Sequence, residues 1–274
     1  MRRPALGAAL GLIVIAMASP AWAGPWTVAE GEAVVSMTYI QTEFDRFYNV
    51  DRERRTLPGP IRHRDAVLTL TYGFIEDWDA AIQVSRYDAE RLFPGNEAAQ
   101  SGLGDSRFGI KHLVYHGAID VAAQAGIKLA GRYDADVIHS PGDGQTDFEA
   151  RVLGGKFWDR AFVDLEAAYR LRLGPVSDEY EILLDAGYAI TSWLHGRLFS
   201  RLVDARTGVG STDDPNVELR LTEEDTLSLG GAISLRLLSG LELTLQYTTV
   251  VAGRNTPIRP DLGVSVAYSF DFFL

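Results

Sequence analysis

The sequence predicts an all-β protein: a twelve-stranded antiparallel transmembrane up-and-down β-barrel that follows a cleaved signal peptide. Three observations predict it. Apolar and polar residues alternate with period two in segment after segment, so each strand has one dry and one wet face. Connections alternate between short turns and long loops. The final stretch, Pro260 to Leu274, is aromatic-rich and runs to the last residue: Leu262, Val264, Val266, Tyr268, Phe270, Phe272 and Leu274 alternate with Asp261, Gly263, Ser265, Ala267, Ser269 and Asp271. Nothing follows to cover that dry face. Lipid can cover it, and a closed barrel pairs both its edges.

Residues 1–23 have the layout of a secretory signal: Arg2 and Arg3, an apolar run from Ala5 to Ala18, then Ala21-Trp22-Ala23 before Gly24. The run is too short for a helical span. Residues 24–274 form one barrel domain, and removing Arg2 and Arg3 takes the formal charge from −11 to −13. Such acidity argues against a nucleic-acid partner. The absence of Cys excludes disulfides, thiolate metal sites and attachment of lipid to a Cys.

Gly24 to Gly31 reads as a polar lead. The first strand, about 32–42, puts Val35, Met37 and Tyr39 on one face; a polar loop, 43–63, follows. The second, about 64–73, carries Ala66, Leu68, Leu70 and Tyr72 outward. The third, about 78–87, carries Trp78, Ala80, Ile82 and Val84, and a long loop spans 88–104. Strand four, about 105–115, sets Phe108, Ile110 and Val114 against Asp105, Arg107 and Lys111. Strand five sets Ile119 through Leu129 against Asp120, Gln124 and Lys128. After loop 130–145, strands six (146–157), seven (161–173) and eight (179–190) place Asp, Glu and Arg on the polar face. Strand nine, about 193–203, does the same with His195, Arg197 and Arg201. Loop 204–225 is long and acidic. Strand ten (226–238), a strand from Leu241, loop 252–259 and the closing strand complete the chain. The 7–8 connection at Gly174-Pro175 departs from the short-and-long rhythm.

Short turns on one rim and long loops on the other are the bacterial outer-membrane arrangement. Tyr72, Phe74, Trp78, Tyr115, Phe157, Trp158, Tyr188 and Trp193 gather beside the short turns, as an interfacial girdle does, although Tyr115 and Trp193 are out of phase. A soluble sandwich or lipocalin-like barrel is the competing architecture.

Facing residues on antiparallel strands fall into register. This places Lys128 opposite Asp147 or Glu149, Glu149 opposite Arg170, Asp147 opposite Arg172, and Arg151 near Glu166. It further sets Arg170 opposite Glu181, Arg172 opposite Glu179, Glu181 opposite Arg201, Asp185 opposite Arg197 and Arg236 opposite Glu242. Acid and base then alternate around one wall of the lumen. Two readings stand: a ladder that cross-links strands and fills a narrow barrel, or a charged constriction that orients a solute.

Signals for chemistry are weak. The histidines lack a zinc spacing. His139 with Asp134, Asp136 and Asp143 is a cation candidate without a calcium-loop pattern, and acidic loops could share the divalent ions of lipopolysaccharide. The outer-membrane phospholipase barrel needs a His-x-Ser-Asn-Gly stretch that this chain lacks, and Ser140 adjoins His139. No catalytic, cofactor or metal residues are assigned, and the chain is not read as an enzyme.

Gly102-Leu103-Gly104-Asp105 followed by Phe108-Gly109-Ile110-Lys111-His112 resembles the strand entry of the barrel family associated with meta-pathway phenol degradation. That resemblance implies an outer-membrane channel for small, often aromatic, solutes. Gly24-Pro25-Trp26-Thr27 with Glu30-Gly31-Glu32 is similar to XagA-like outer-membrane proteins linked to exopolysaccharide and biofilm loci. The expected function is a passive channel or transport-associated barrel for a small aromatic or polar solute. The alternative is a structural, envelope-assembly barrel that supports polysaccharide export or biofilm formation without conducting; an outer-membrane hydrolase is third. Expected partners are outer-membrane lipid, lipopolysaccharide and the barrel-assembly machinery, the last through 260–274.

Overall fold

The structure is a computed structural model that describes residues 24–134, 140, 142, 144–174, 177–205 and 224–271. The predicted signal, the His139 candidate with Asp136 and Asp143, most of loop 204–225 and Phe272 to Leu274 lie outside them.

The strands are β1 (Glu32–Tyr48), β2 (Arg54–Ile75), β3 (Trp78–Phe93), β4 (Asn96–Leu103), β5 (Ser106–Tyr115), β6 (Asp120–Leu129) and β7 (Asp147–Phe157). They continue as β8 (Ala161–Arg172), β9 (Glu179–Ala189), β10 (Leu194–Ala205), β11 (Asp225–Leu238), β12 (Leu241–Arg254), β13 (Thr256–Pro257) and β14 (Pro260–Asp271). Neighbours pair antiparallel, and β1 bonds to both β2 and β14, which closes the sheet. Twelve strands make the barrel; β4 and β13 are appended to its rim.

The predicted faces hold. Met37, Leu68, Ile82, Phe108, Val152, Leu165, Ile182, Leu198, Ile233, Leu245 and Val266 are exposed on the outside, in the row pattern that lipid would cover. Of the predicted girdle, Phe74, Trp78, Tyr115, Phe157, Trp158, Tyr188 and Trp193 are exposed, whereas Tyr72 is half-buried. Trp78 stacks on His112 at 4.0 Å beside the turn rim.

The hairpin rim differs from expectation. The segment 43–63 is not a loop: β1 runs on to Tyr48 and β2 begins at Arg54. Likewise β3 continues to Phe93 and turns through Pro94-Gly95 into β4. Polar composition hid these extensions because charged residues such as Glu43, Arg62 and Glu90 replace apolar ones on their outer face. The inner face instead carries Phe44, Phe47, Leu57, Ile61 and Phe93, which bury one another in a small apolar core above the lumen. Gly59 is needed there, since a Cβ would meet the Leu92 carbonyl oxygen at 2.3 Å. Thr256 and Pro257 pair with Tyr48 and Phe47, and the Tyr48 hydroxyl donates to the Val251 carbonyl, which ties the 252–259 connection to the same tip.

Candidate functional site

Inward residues of β5 to β10 build an ionic wall. At its hairpin end Lys128 lies 2.7 Å from Asp147 and 3.5 Å from Asp105. Arg170 reaches Glu179 at 2.6 Å, Glu149 at 3.0 Å and Glu181 at 3.6 Å, while Arg172 reaches Glu179 at 2.6 Å. One layer nearer the turn rim, Arg151 bonds Glu149 and Glu181, both at 3.0 Å, and Glu166. Arg201 closes on Glu181 at 2.6 Å and Arg197 on Asp185 at 2.9 Å. Alternation puts these groups on one face, and charge-assisted bonds fix their rotamers.

All the predicted ladder residues except Arg236 are thus placed in ion pairs or among buried inward groups; Arg236 faces Glu242 in register, as expected. Two registers differ. Glu179, not Glu181, stands opposite Arg170, and Glu181 and Asp185 stand opposite Val203 and Phe199 rather than the arginines. Asp178 sets the first shift by accepting from the Arg172 amide and the Tyr169 hydroxyl in the β8–β9 connection. The ion pairs survive because long side chains reach the diagonal neighbour across adjacent strands.

The opposite wall is chemically different. There β11, β12, β14, β1, β2 and β3 turn mostly small or hydroxyl-bearing groups inward, among them Ser228, Ala232, Thr244, Ser265, Ala267, Ser36, Thr69, Thr71 and Ala81, with Asp79 and Glu242 as buried charged exceptions. Solvent reaches between the two walls: Thr38, Gln83, Arg107, Arg201, Gln246 and Thr248 are inward yet partly exposed. Arg201 keeps 39% of its side chain accessible, against 10% for its partner Glu181, so the ionic wall offers solvent its guanidinium rather than its carboxylates. Arg107 makes no ion pair among the described residues. It lines a narrow recess with Lys128, Asp147, Glu149 and Arg170. Near the hairpin rim Glu224 sits beside Arg259; burial raises its carboxyl above the ordinary value, partly offset by Arg259 and the Thr256 hydroxyl.

The residues that sequence reasoning missed belong to the lead, 24–31. Instead of trailing away, it lies along the inside of the wall at the turn rim. Gly31 N–H donates to the Gly73 carbonyl, Val28 N–H to Asp79, and the Trp26 indole to Asp120. Lys111 donates to the Trp26 carbonyl at 2.6 Å and also pairs with Asp79. The Trp26 ring meets Phe157 and Phe162 edge-on, and Gly24 N–H donates to Glu166 at 2.6 Å. Gly155 admits the strap, since a Cβ there would lie 2.9 Å from Pro25. The available signal was an inward aromatic, Phe162, and inward glycines on strands otherwise lined with charge.

No family model and no curated protein sequence matches the chain. Solved structures do. The COG4313 outer membrane channel from Pseudomonas putida F1 superposes with a TM-score of 0.73 at 13% identity, over 90% of this chain and 98% of that one. The KdgM porin in complex with disordered oligogalacturonate matches at 0.52 and 9% identity, over 86% and 99% of the two chains. The translocator domain of the autotransporter NalP from Neisseria meningitidis matches at 0.54 and 13%, over 89% and 90%. The chain therefore has the fold of a twelve-stranded outer-membrane β-barrel.

Proposed function

We propose that the protein is a passive channel for small solutes in the outer membrane. One observation carries this reading: solvent reaches inward side chains between an ionic wall and a wall of small and hydroxyl-bearing residues. The ionic ladder therefore serves both readings of the sequence. Its paired carboxylates and cations brace half of the barrel, and its accessible edge, Arg107 and Arg201, is left to meet a solute. Low-dielectric walls strengthen that encounter. The resemblance at Gly102 to His112 favours small aromatic solutes, and two accessible guanidiniums favour those carrying a carboxylate or a phenolate. The structural likeness to the COG4313 outer membrane channel agrees with conduction.

The outward apolar rows support outer-membrane lipid as the surrounding partner. The alternating aromatic strand β14 supports recognition by the barrel-assembly machinery. Proteoliposomes test the solute reading. Those carrying the protein should take up a benzoate-sized anion faster than protein-free vesicles, and Arg107→Glu with Arg201→Glu should slow that uptake more than uptake of a neutral sugar. Vesicles that take up neither solute would favour the envelope-assembly alternative linked to the XagA-like lead.

A further inference from the structure

At the turn end of the ionic wall the charges do not balance. Asp164, Glu166 and Asp185 come together on β8 and β9, and each is no more than 2% exposed. Arg197 serves Asp185, and Arg151 serves Glu166 while also holding Glu149 and Glu181. Asp164 has no cation within ion-pair distance among the described residues, and its Oδ1 is buried without a hydrogen-bond partner. Burying a carboxylate this way is costly unless a positive charge joins it.

The strap delivers its first described residue to this spot. Gly24 N lies 2.6 Å from Glu166 Oε1, and the Cβ position of Gly24 is 3.7 Å from Asp164 Oδ2. A side chain at Gly24 would strike the Trp26 ring at 2.7 Å, so the nitrogen approaches this closely only because residue 24 is glycine. The signal pattern ends at Ala23. Cleavage there converts the Gly24 amide nitrogen into a primary ammonium.

We infer that Asp164, Glu166 and Asp185 form a receptor for the α-ammonium that processing creates at Gly24, so that removal of the leader supplies the missing cation and locks the strap 24–31 inside the barrel. The inference rests on cleavage after Ala23 and is independent of whether the lumen conducts. An ammonium has three donors, enough for Glu166 Oε1 and the unserved Asp164 carboxylate, with Asp185 adding negative charge opposite Asp164. Before cleavage the same nitrogen offers one N–H and no charge. The precursor thus buries uncompensated carboxylate, and the processed chain does not.

The full chain, expressed with its leader and extracted from the outer membrane, provides the test. Mass spectrometry of the intact protein should give a chain that starts at Gly24; another start would overturn the inference. Pulse acylation near neutral pH then reads the amine. An exposed α-amino group has a pKa near 7.7–8.0, and each unit of upward shift removes about tenfold of the reactive free base. Acylation of Gly24 should be at least about tenfold slower in the folded protein than in the denatured one. Asp164→Asn and Glu166→Gln should recover most of that loss, whereas burial alone would leave both variants as protected as the parent. A second variant guards against misfolding: Ala-Ser inserted between Ala23 and Gly24 leaves every barrel residue intact but displaces the ammonium. It should lower the temperature of the heat-induced gel shift. An unchanged gel shift with the insertion, or unchanged protection in a folded Asp164→Asn, would overturn the inference.

Discussion

Arg170 and Arg107 show how differently two inward arginines behave. Arg170 is held by Glu149, Glu179 and Glu181, all about nine-tenths buried. Reversing it takes one cation from three carboxylates at once and sets a fourth negative charge among them. Removing one partner of a buried pair costs about 3–5 kcal/mol, so Arg170→Glu should shift the heat-induced gel transition far downward or prevent assembly. Arg107 lacks an ion pair among the described residues and lines the narrow recess. Arg107→Glu should leave that transition nearly unchanged and move the reversal potential toward cation selectivity. The ladder residues were legible one by one, because charge at alternate positions of an otherwise apolar strand has to face inward. Which partner each one takes was less legible. The register between β8 and β9 depends on Asp178 capping the connection, and no spacing rule contains that contact.

At the scale of the element, the strap 24–31 and the distal hairpins carry what the strands alone do not. Gly155 gives the strap its place, so Gly155→Val should force Pro25 and Trp26 away from β7. The expected result is a larger single-channel conductance with an unchanged far-ultraviolet β spectrum; an unaltered conductance would show that the strap does not narrow the passage. The hairpin core is tested separately. Gly59→Val pushes against the β3 backbone at Leu92 and loosens the packing of Phe44, Leu57 and Phe93. Protease should then cut within 49–53 several times faster, while the barrel itself stays protected. Neither element was visible in the sequence. The strap is too short to show a period, and apart from the Trp26 side chain its hydrogen bonds are made by backbone groups that any residue supplies. The hairpin extensions carry charge on their outer face, so period two gives way to a polar stretch that looks like a loop.

For the whole molecule, the apolar rows outside and the closed ring of backbone pairs imply one another. A sheet with β1 bonded to both β2 and β14 has no edge to satisfy in lipid, and its outward rows of Leu, Ile and Val are exposed. This level was the most legible, because alternation repeated over many strands allows few architectures. A lumen braced on one side by ion pairs, and accessible at Thr38, Gln83, Arg107, Arg201 and Gln246, should pass ions. Planar-bilayer recording of the membrane-extracted protein examines that most directly. Repeated insertions should give discrete current steps, with Arg107→Glu shifting the reversal potential in a salt gradient. Correctly folded, heat-modifiable protein that inserts without any current would contradict a conducting lumen.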